Sequence, residues 1–152
     1  MRILVHGFVG KIVKVDLSNA KVKKEPLDEK IAKRFGGCVG YAAKILWDEL
    51  KPGIDPLGPE NKLILATGPL TGTLCPNSGS YEACFKSPLT GVWAEARSGG
   101  LWGSYLKYAG YDMVILEGKS EKPVYLSILD GEVEIRSAEG VWGKTVPETE
   151  AI

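Results

Sequence analysis

The chain has 152 residues, 44% of them hydrophobic and 25% charged, with 19 Lys+Arg balanced by 19 Asp+Glu. That length suits one domain able to bury about two thirds of its unfolded surface, and the composition argues against disorder. Balanced charge leaves no electrostatic footprint for nucleic acid or an anionic membrane, and no run approaches the roughly 20 apolar residues of a membrane span, so a cytoplasmic protein is expected.

The opening "MRILVHGFVGKIVKVDL" has a short apolar run without a signal-peptide cleavage pattern, and it runs on into strand-like sequence. "GKIVKVDL" places Ile12, Val13 and Val15 among lysines, and "AKVKKEPL" follows a Ser18-Asn19 turn, which predicts a hairpin. From Asp28 the spacing becomes helical: Leu27, Ile31 and Phe35 recur every four residues, and Gly36-Gly37 ends the run as a C-cap does. "GYAAKILWDEL" predicts a stronger helix, with Ala42, Ile45, Leu46 and Leu50 on one side and Pro52 as its stop. After a Pro/Gly-rich connection, "KLILATG" reads as a buried strand over 62–68. Pro-Leu-Thr-Gly then occurs at 69–72 and again at 88–91, flanking a strand expected over 80–86. Early Pro and late Gly suit tight turns, a reading favoured over internal duplication.

A strand carrying Val92 and Ala94 leads to "RSGGLWGSYLKYAG", with a helix predicted at about 101–109 whose apolar side is Leu101, Trp102, Tyr105, Leu106 and Ala109. "YDMVILEG" is a further strand, and "PVYLSILDGEVEIRSA" is a hairpin with Asp130-Gly131 at its tip. "TVPETEAI" opens a helix with Thr145 at the N-cap, Pro147 in the first turn and Glu148 completing a capping box. One such turn is too short to stand alone, so the chain reads as the N-terminal part of something longer.

Few residue sets suggest chemistry. Cys38, Cys75 and Cys84 are odd in number, with no two-residue spacing, so no disulfide framework or metal-ligand set is indicated and inert thiols are expected. His6 is the only histidine, and the sequence offers no nucleophile–base pair. Asp48, Glu49, Asp55 and Glu60 are expected in solvent, whereas Trp47, Trp93, Trp102 and Tyr105 fall on predicted inward stripes and are expected in the core. The glycines at 36–40 follow a helix rather than a strand, and those at 7–10 lack P-loop spacing, so both sets are read as caps and turns. Ser98-Gly99-Gly100 has two readings. Free N–H groups, close backbone approach and the Arg97 fork would cradle a phosphate; equally, Ser98 would cap the helix with glycines for tight packing.

"VDLSNAKVKKEPLDEKIAKRFGG", "PLGPENKLILATGPLTGT", "KSPLTG", "SGGLWGSYLKYAGYD" and "EGKSEKPVYLSI" occur in this order over nearly the whole chain. Together they resemble the N-terminal domain of the aldehyde:ferredoxin oxidoreductases, the tungsten-bispterin enzymes. The resemblance implies an α+β domain whose twisted β-sheets form a base under a tungsten (or molybdenum) bis-pterin cofactor, with a few short helices. It implies oxidation of aldehydes to carboxylic acids, with electrons passing to ferredoxin through a [4Fe–4S] cluster. The cluster, the substrate channel and most of the enzyme would lie in the rest of the full-length polypeptide, so no catalytic residue is expected here and the 152 residues alone should be inactive. Homo-oligomerisation is compatible with the same picture.

By the same resemblance, cofactor contacts fall on Ser80, Arg97, Ser98, Gly99 and Gly100, and the main-chain carbonyl of Arg97 would ligate a magnesium ion bridging two pterin phosphates. Three positions depart from the family's pattern: Arg97 stands where Asn is usual, Ser80 where a cofactor-contacting arginine is usual, and Cys38-Val39 where Arg-Gly is frequent. A positive charge lost at 80 and one gained at 97 suggest that Arg97 supplies the cationic partner that Ser80 no longer can. The alternative function is a non-catalytic pterin- or phosphate-binding module, or a subunit of a larger redox complex such as an aromatic acyl-CoA reductase.

Overall fold

The computed structural model describes residues 6–152; the apolar run at 1–5 lies outside them. Eight strands and four short helices form among these residues, in the order β1 (Lys11–Asp16), β2 (Lys21–Pro26), α1 (Glu29–Phe35), α2 (Cys38–Glu49), β3 (Lys62–Thr67), β4 (Tyr81–Lys86), β5 (Trp93–Ser98), α3 (Trp102–Tyr108), β6 (Met113–Glu117), β7 (Val124–Leu129), β8 (Glu132–Ser137) and α4 (Val146–Glu150). The architecture is α+β, as expected. One six-stranded sheet runs β2-β1-β6-β3-β4-β5, and β7 and β8 pair separately. β6 lies parallel to β1 and antiparallel to β3, so a late segment closes the middle of the sheet.

Local chemistry explains the ends of these elements. The β1–β2 hairpin turns where the Asp16 carboxylate accepts from the Ser18 and Asn19 N–H groups, at 3.0 and 3.1 Å. Asp28 caps α1 by accepting from the Lys30 and Ile31 N–H groups, and Gly36, with φ +75°, takes the left-handed C-cap that a side chain would resist. α2 begins at Cys38, two residues before the predicted start. Asp130 and Gly131 both have positive φ at the β7–β8 tip, matching the turn that such hairpins prefer. Thr145 and Glu148 form the predicted capping box of α4. Both Pro-Leu-Thr-Gly segments end in a positive-φ glycine, Gly72 and Gly91. Their hydrogen bonds differ, with Thr71 N–H donating to the Gly68 carbonyl and Gly91 N–H to that of Ser87.

Strand alternation sends the sheet's side chains to two cores. Ile12, Ile64, Ala66, Cys84, Met113 and Ile115 pack under α1 and α2, against Tyr41, Ala42, Ile45 and Leu46. On the other face Val13, Val15 and Val114 meet Leu106, Tyr111 and Val133, with Leu126 and Ile128 of the hairpin packed alongside. Each fully buried aliphatic side chain contributes about 1.5–3 kcal/mol. Asp48, Glu49, Asp55 and Glu60 are exposed, as expected. No helix of the described residues is long and apolar enough to cross a membrane.

The aromatic expectation is overturned. Trp47 is 85% exposed, Tyr105 61%, Trp93 40% and Trp102 39%. α2 buries Tyr41, Ala42, Ile45 and Leu46 and turns Trp47 outward, while β5 is an edge strand with little covering it. α3 is rotated from its predicted face: it buries Gly103, Ser104, Leu106 and Lys107 and leaves Leu101 and Tyr105 exposed. A buried ion pair sets that rotation. Lys107 Nζ donates to Asp112 Oδ1 (2.8 Å) and to the Gly7 carbonyl (2.6 Å), and the Asp112 carboxylate also accepts from the Val9 and Gly10 N–H groups. The glycine-containing stretch 7–10 therefore serves an anion from its own chain.

Candidate functional site

The sheet brings the expected site residues to one corner, where β4 begins and β5 ends. Tyr81 pairs with Ser98, so Ser80 and Gly99 continue side by side beyond the last rung. The chain then crosses from β5 through Gly99, Gly100 and Leu101 into α3. Close backbone contact fixes this crossing. A Cβ on Gly79 would stand 2.5 Å from the Gly100 carbonyl oxygen, and one on Gly103 would meet the Gly79 and Ser80 carbonyls at 3.2 and 3.3 Å. Thr71 Oγ1 donates to the Ser80 carbonyl at 3.1 Å, and Tyr108 Oη donates to the Gly72 carbonyl at 2.9 Å, tying the 68–80 segment to the same corner.

Ser98 does not cap α3. It is the last residue of β5, the N-cap is Leu101, and no side chain bonds the first turn. Three residues separate Ser98 from the helix, too many for capping geometry. What remains is a backbone cradle. The N–H groups of Gly99, Gly100 and Leu101 have no acceptor among the described residues, and nothing lies within 4 Å of where a Cβ would stand on Gly99 or Gly100. Unpartnered backbone donors beside open space are the kind of group that can hold an oxyanion such as a cofactor phosphate.

Arg97 departs from the simple cradle. Successive strand residues face opposite sides, so Arg97 leaves β5 on the α2 side and Ser98 on the α3 side. Arg97 sits opposite Glu82, and its Nε donates to Glu82 Oε1. The Arg97 side chain is 72% exposed, while that of Glu82 is only 2% exposed, and Glu82 Oε2 is buried without a partner. Cys38 lies close by, its thiol donating to the Ala66 carbonyl at 3.5 Å. Burial pushes the Cys38 thiol up, the Val39 N–H opposes this, and the charges of Glu82 and Arg97 act in opposite directions. Cys38 and Arg97, two of the departures, are thus electrostatic neighbours on one face of the corner, and Ser80 is two residues from Glu82.

Sequence reasoning missed Glu82, Lys107 and Asp112. A signal for Glu82 existed: in "YEACFK" it shares the inward register with Cys84, an acidic residue where alternation calls for an apolar one. Of the thiols, Cys84 is buried as a packing residue would be, Cys38 is half-buried and Cys75 is exposed. Among the described residues no group of three or more His, Cys, Asp and Glu side chains could hold a metal.

The family model of the aldehyde ferredoxin oxidoreductase N-terminal domain matches residues 12–152. The chain belongs to this family. A tungsten-containing aldehyde ferredoxin oxidoreductase of Pyrococcus furiosus is 51% identical over 147 residues, covering 97% of this chain and 24% of that protein. The Pyrococcus horikoshii enzyme of the same description is 53% identical over 146 residues, 96% of this chain and 24% of that protein. Among solved structures, the active site complex BamBC of benzoyl coenzyme A reductase, in complex with 1,5-dienoyl-CoA, matches with a TM-score of 0.93 at 38% identity. That match covers 96% of this chain and 22% of the other. The chain thus spans about a quarter of the length of the family members it matches.

Proposed function

We propose that this domain is the base on which a tungsten bis-pterin cofactor sits, in a full-length cytoplasmic enzyme that oxidises aldehydes to carboxylic acids. The observation that carries the reading is the corner where Ser80 and Ser98–Gly100 meet, with loop N–H groups that have no acceptor among the described residues and open space beside Gly99 and Gly100. Those donors would hold the pterin phosphates, Ser80 and Ser98 would add hydroxyls, and the main-chain carbonyl of Arg97 would face a bridging magnesium ion. Arg97 contributes N–H donors more than net charge, because Glu82 offsets its cation. When bound, the tungsten centre supplies the two-electron chemistry. Binding and orienting that centre is the task of this chain's residues, while a [4Fe–4S] cluster, the ferredoxin contact, the substrate channel and any oligomer contacts belong to the rest of the polypeptide. Support for tungsten comes from the relatives that carry it in their names.

Metal and pterin analysis of the purified full-length protein tests the reading. Near-stoichiometric tungsten or molybdenum with phosphorylated pterin is the expected result, and a protein folded and active with neither would refute it. Residues 1–152 alone should give no aldehyde-dependent dye reduction.

The likeness to BamBC favours a second reading, a subunit of an acyl-CoA-reducing complex. Higher identity to the aldehyde enzymes, 51–53% against 38%, ranks it second. A full-length protein that holds tungsten but does not oxidise aldehydes would reverse that order.

A further inference from the structure

We infer that Glu82 is a positioning residue: it holds Arg97 by the Nε edge so that both terminal amino groups of the guanidinium face outward to bind a phosphate oxygen. The inference rests on the reading that this corner takes a cofactor phosphate, and goes beyond it by assigning a residue with no prior role. Three observations carry it. Glu82 is buried and Arg97 exposed, so the carboxylate anchors the cation. The bond uses Nε alone, and the terminal amino groups of Arg97 have no partner among the described residues. Finally, Glu82 Oε2 is buried and unpartnered. An ion pair shaped only for stability would be bidentate, satisfying both carboxylate oxygens with two parallel N–H bonds. This pair instead leaves a buried acceptor unsatisfied, which is normally costly, and keeps the donor fork open.

Glu82 acts in two ways that substitution can separate. It orients the guanidinium, and its negative charge weakens the pull of Arg97 on an anion. Glu82→Gln retains an acceptor for Nε but removes the charge. Glu82→Met fills a similar volume with neither, and Glu82→Leu serves where Met does not fold. Arg97→Lys keeps a cation beside Glu82 but has no fork. The test uses full-length polypeptide prepared without tungsten or molybdenum, with inorganic pyrophosphate as probe and thermal stabilisation across a salt series as readout. Glu82→Gln should bind pyrophosphate about tenfold more tightly than wild type with a steeper salt dependence, as removal of one nearby opposing charge predicts. Glu82→Met removes the same charge yet should bind no better than wild type, because the guanidinium is no longer held. Arg97→Lys should bind at least tenfold more weakly. Equal affinity in the Gln and Met variants would overturn positioning while leaving Arg97 as a phosphate ligand. Equal affinity in wild type and Arg97→Lys would remove Arg97 from the phosphate site altogether.

Discussion

Replacing Lys107 with Met should destabilise the domain severely and loosen the corner that α3 helps to build. Lys107 and Asp112 are 7% and 1% exposed at their side chains, and the ammonium is one of three donors on the carboxylate, at 2.8 Å. The other two are the Val9 and Gly10 N–H groups, at 3.0 and 2.7 Å. Met fills the volume of Lys but leaves a buried carboxylate without its cation, a loss of about 3–5 kcal/mol. For a domain of this size that lowers the melting temperature by about 10 °C. Asp112→Asn alone is also unfavourable, since its amide must turn an NH2 toward Lys107 or toward a backbone donor. Added to Lys107→Met, however, it removes the uncompensated charge and keeps one acceptor for the backbone. The double variant should therefore be more stable than Lys107→Met alone, the reverse of additivity. Urea unfolding followed by circular dichroism measures all three. A cost below about 1 kcal/mol for Lys107→Met, or full additivity in the double variant, would refute the account of α3 anchoring.

Cys75 should react first with iodoacetamide under native conditions, since it is exposed while Cys38 is half-buried and Cys84 buried; mass spectrometry showing Cys84 labelled as fast as Cys75 would contradict the packing. Burial, then the neighbouring Cys38, pushes the Cys84 thiol from 9.0 up to about 12. Between those values the unfolded chain releases a proton that the folded chain keeps, so stability falls as pH rises, by up to about 1.4 kcal/mol per pH unit. Cys84→Ala should flatten that alkaline slope, and identical slopes would refute the assignment. Gly79→Ala should cost about 1–3 kcal/mol because its methyl meets the Gly100 carbonyl. Gly99→Ala should melt like wild type while reducing pterin content, and normal pterin content would remove Gly99 from the cradle.

Elements with local stop and start chemistry were readable from sequence because the signal and the cause are the same residues. Asp28 and Gly36 bound α1, Asp130-Gly131 turns the last hairpin, and Thr145 with Glu148 opens α4. Orientation was harder. Periodicity found the helix α3 but not the face it buries, because a seven-residue helix gives too few turns to fix a direction. The Lys107–Asp112 pair joins it to a segment about a hundred residues earlier through Gly7, Val9 and Gly10, and no window along the chain contains that information. Trp47 is outward for a related reason: it adjoins the α2 stripe, and packing of Ile45 and Leu46 leaves it on the rim. Of the candidate site, the family resemblance pointed to residues 80 and 97–100, and the strand register explains why these converge. Arg97's partner was out of reach, since β4–β5 pairing had first to be known.

That partner changes the physical account of the corner. An arginine at 97 in place of an uncharged residue would restore a positive charge absent at Ser80, but Glu82 sits directly across the ladder and cancels it. Ser80, Glu82 and Arg97 together carry no net charge, so long-range attraction contributes little to drawing an anion there. What the corner retains are short-range donors: the loop N–H groups and the outer edge of the guanidinium. Such donors weaken steeply with distance and misalignment, so they favour a phosphate held in one geometry over anions in general. They also depend on the backbone staying in place: Thr71 Oγ1 holds the Ser80 carbonyl at 3.1 Å, and the backbone passes Gly79 and Gly103 too closely for a side chain there. If the corner takes a cofactor phosphate as proposed, recognition there would depend on the rigidity of the sheet end, and the residues that fix its shape would matter as much as those facing the ligand.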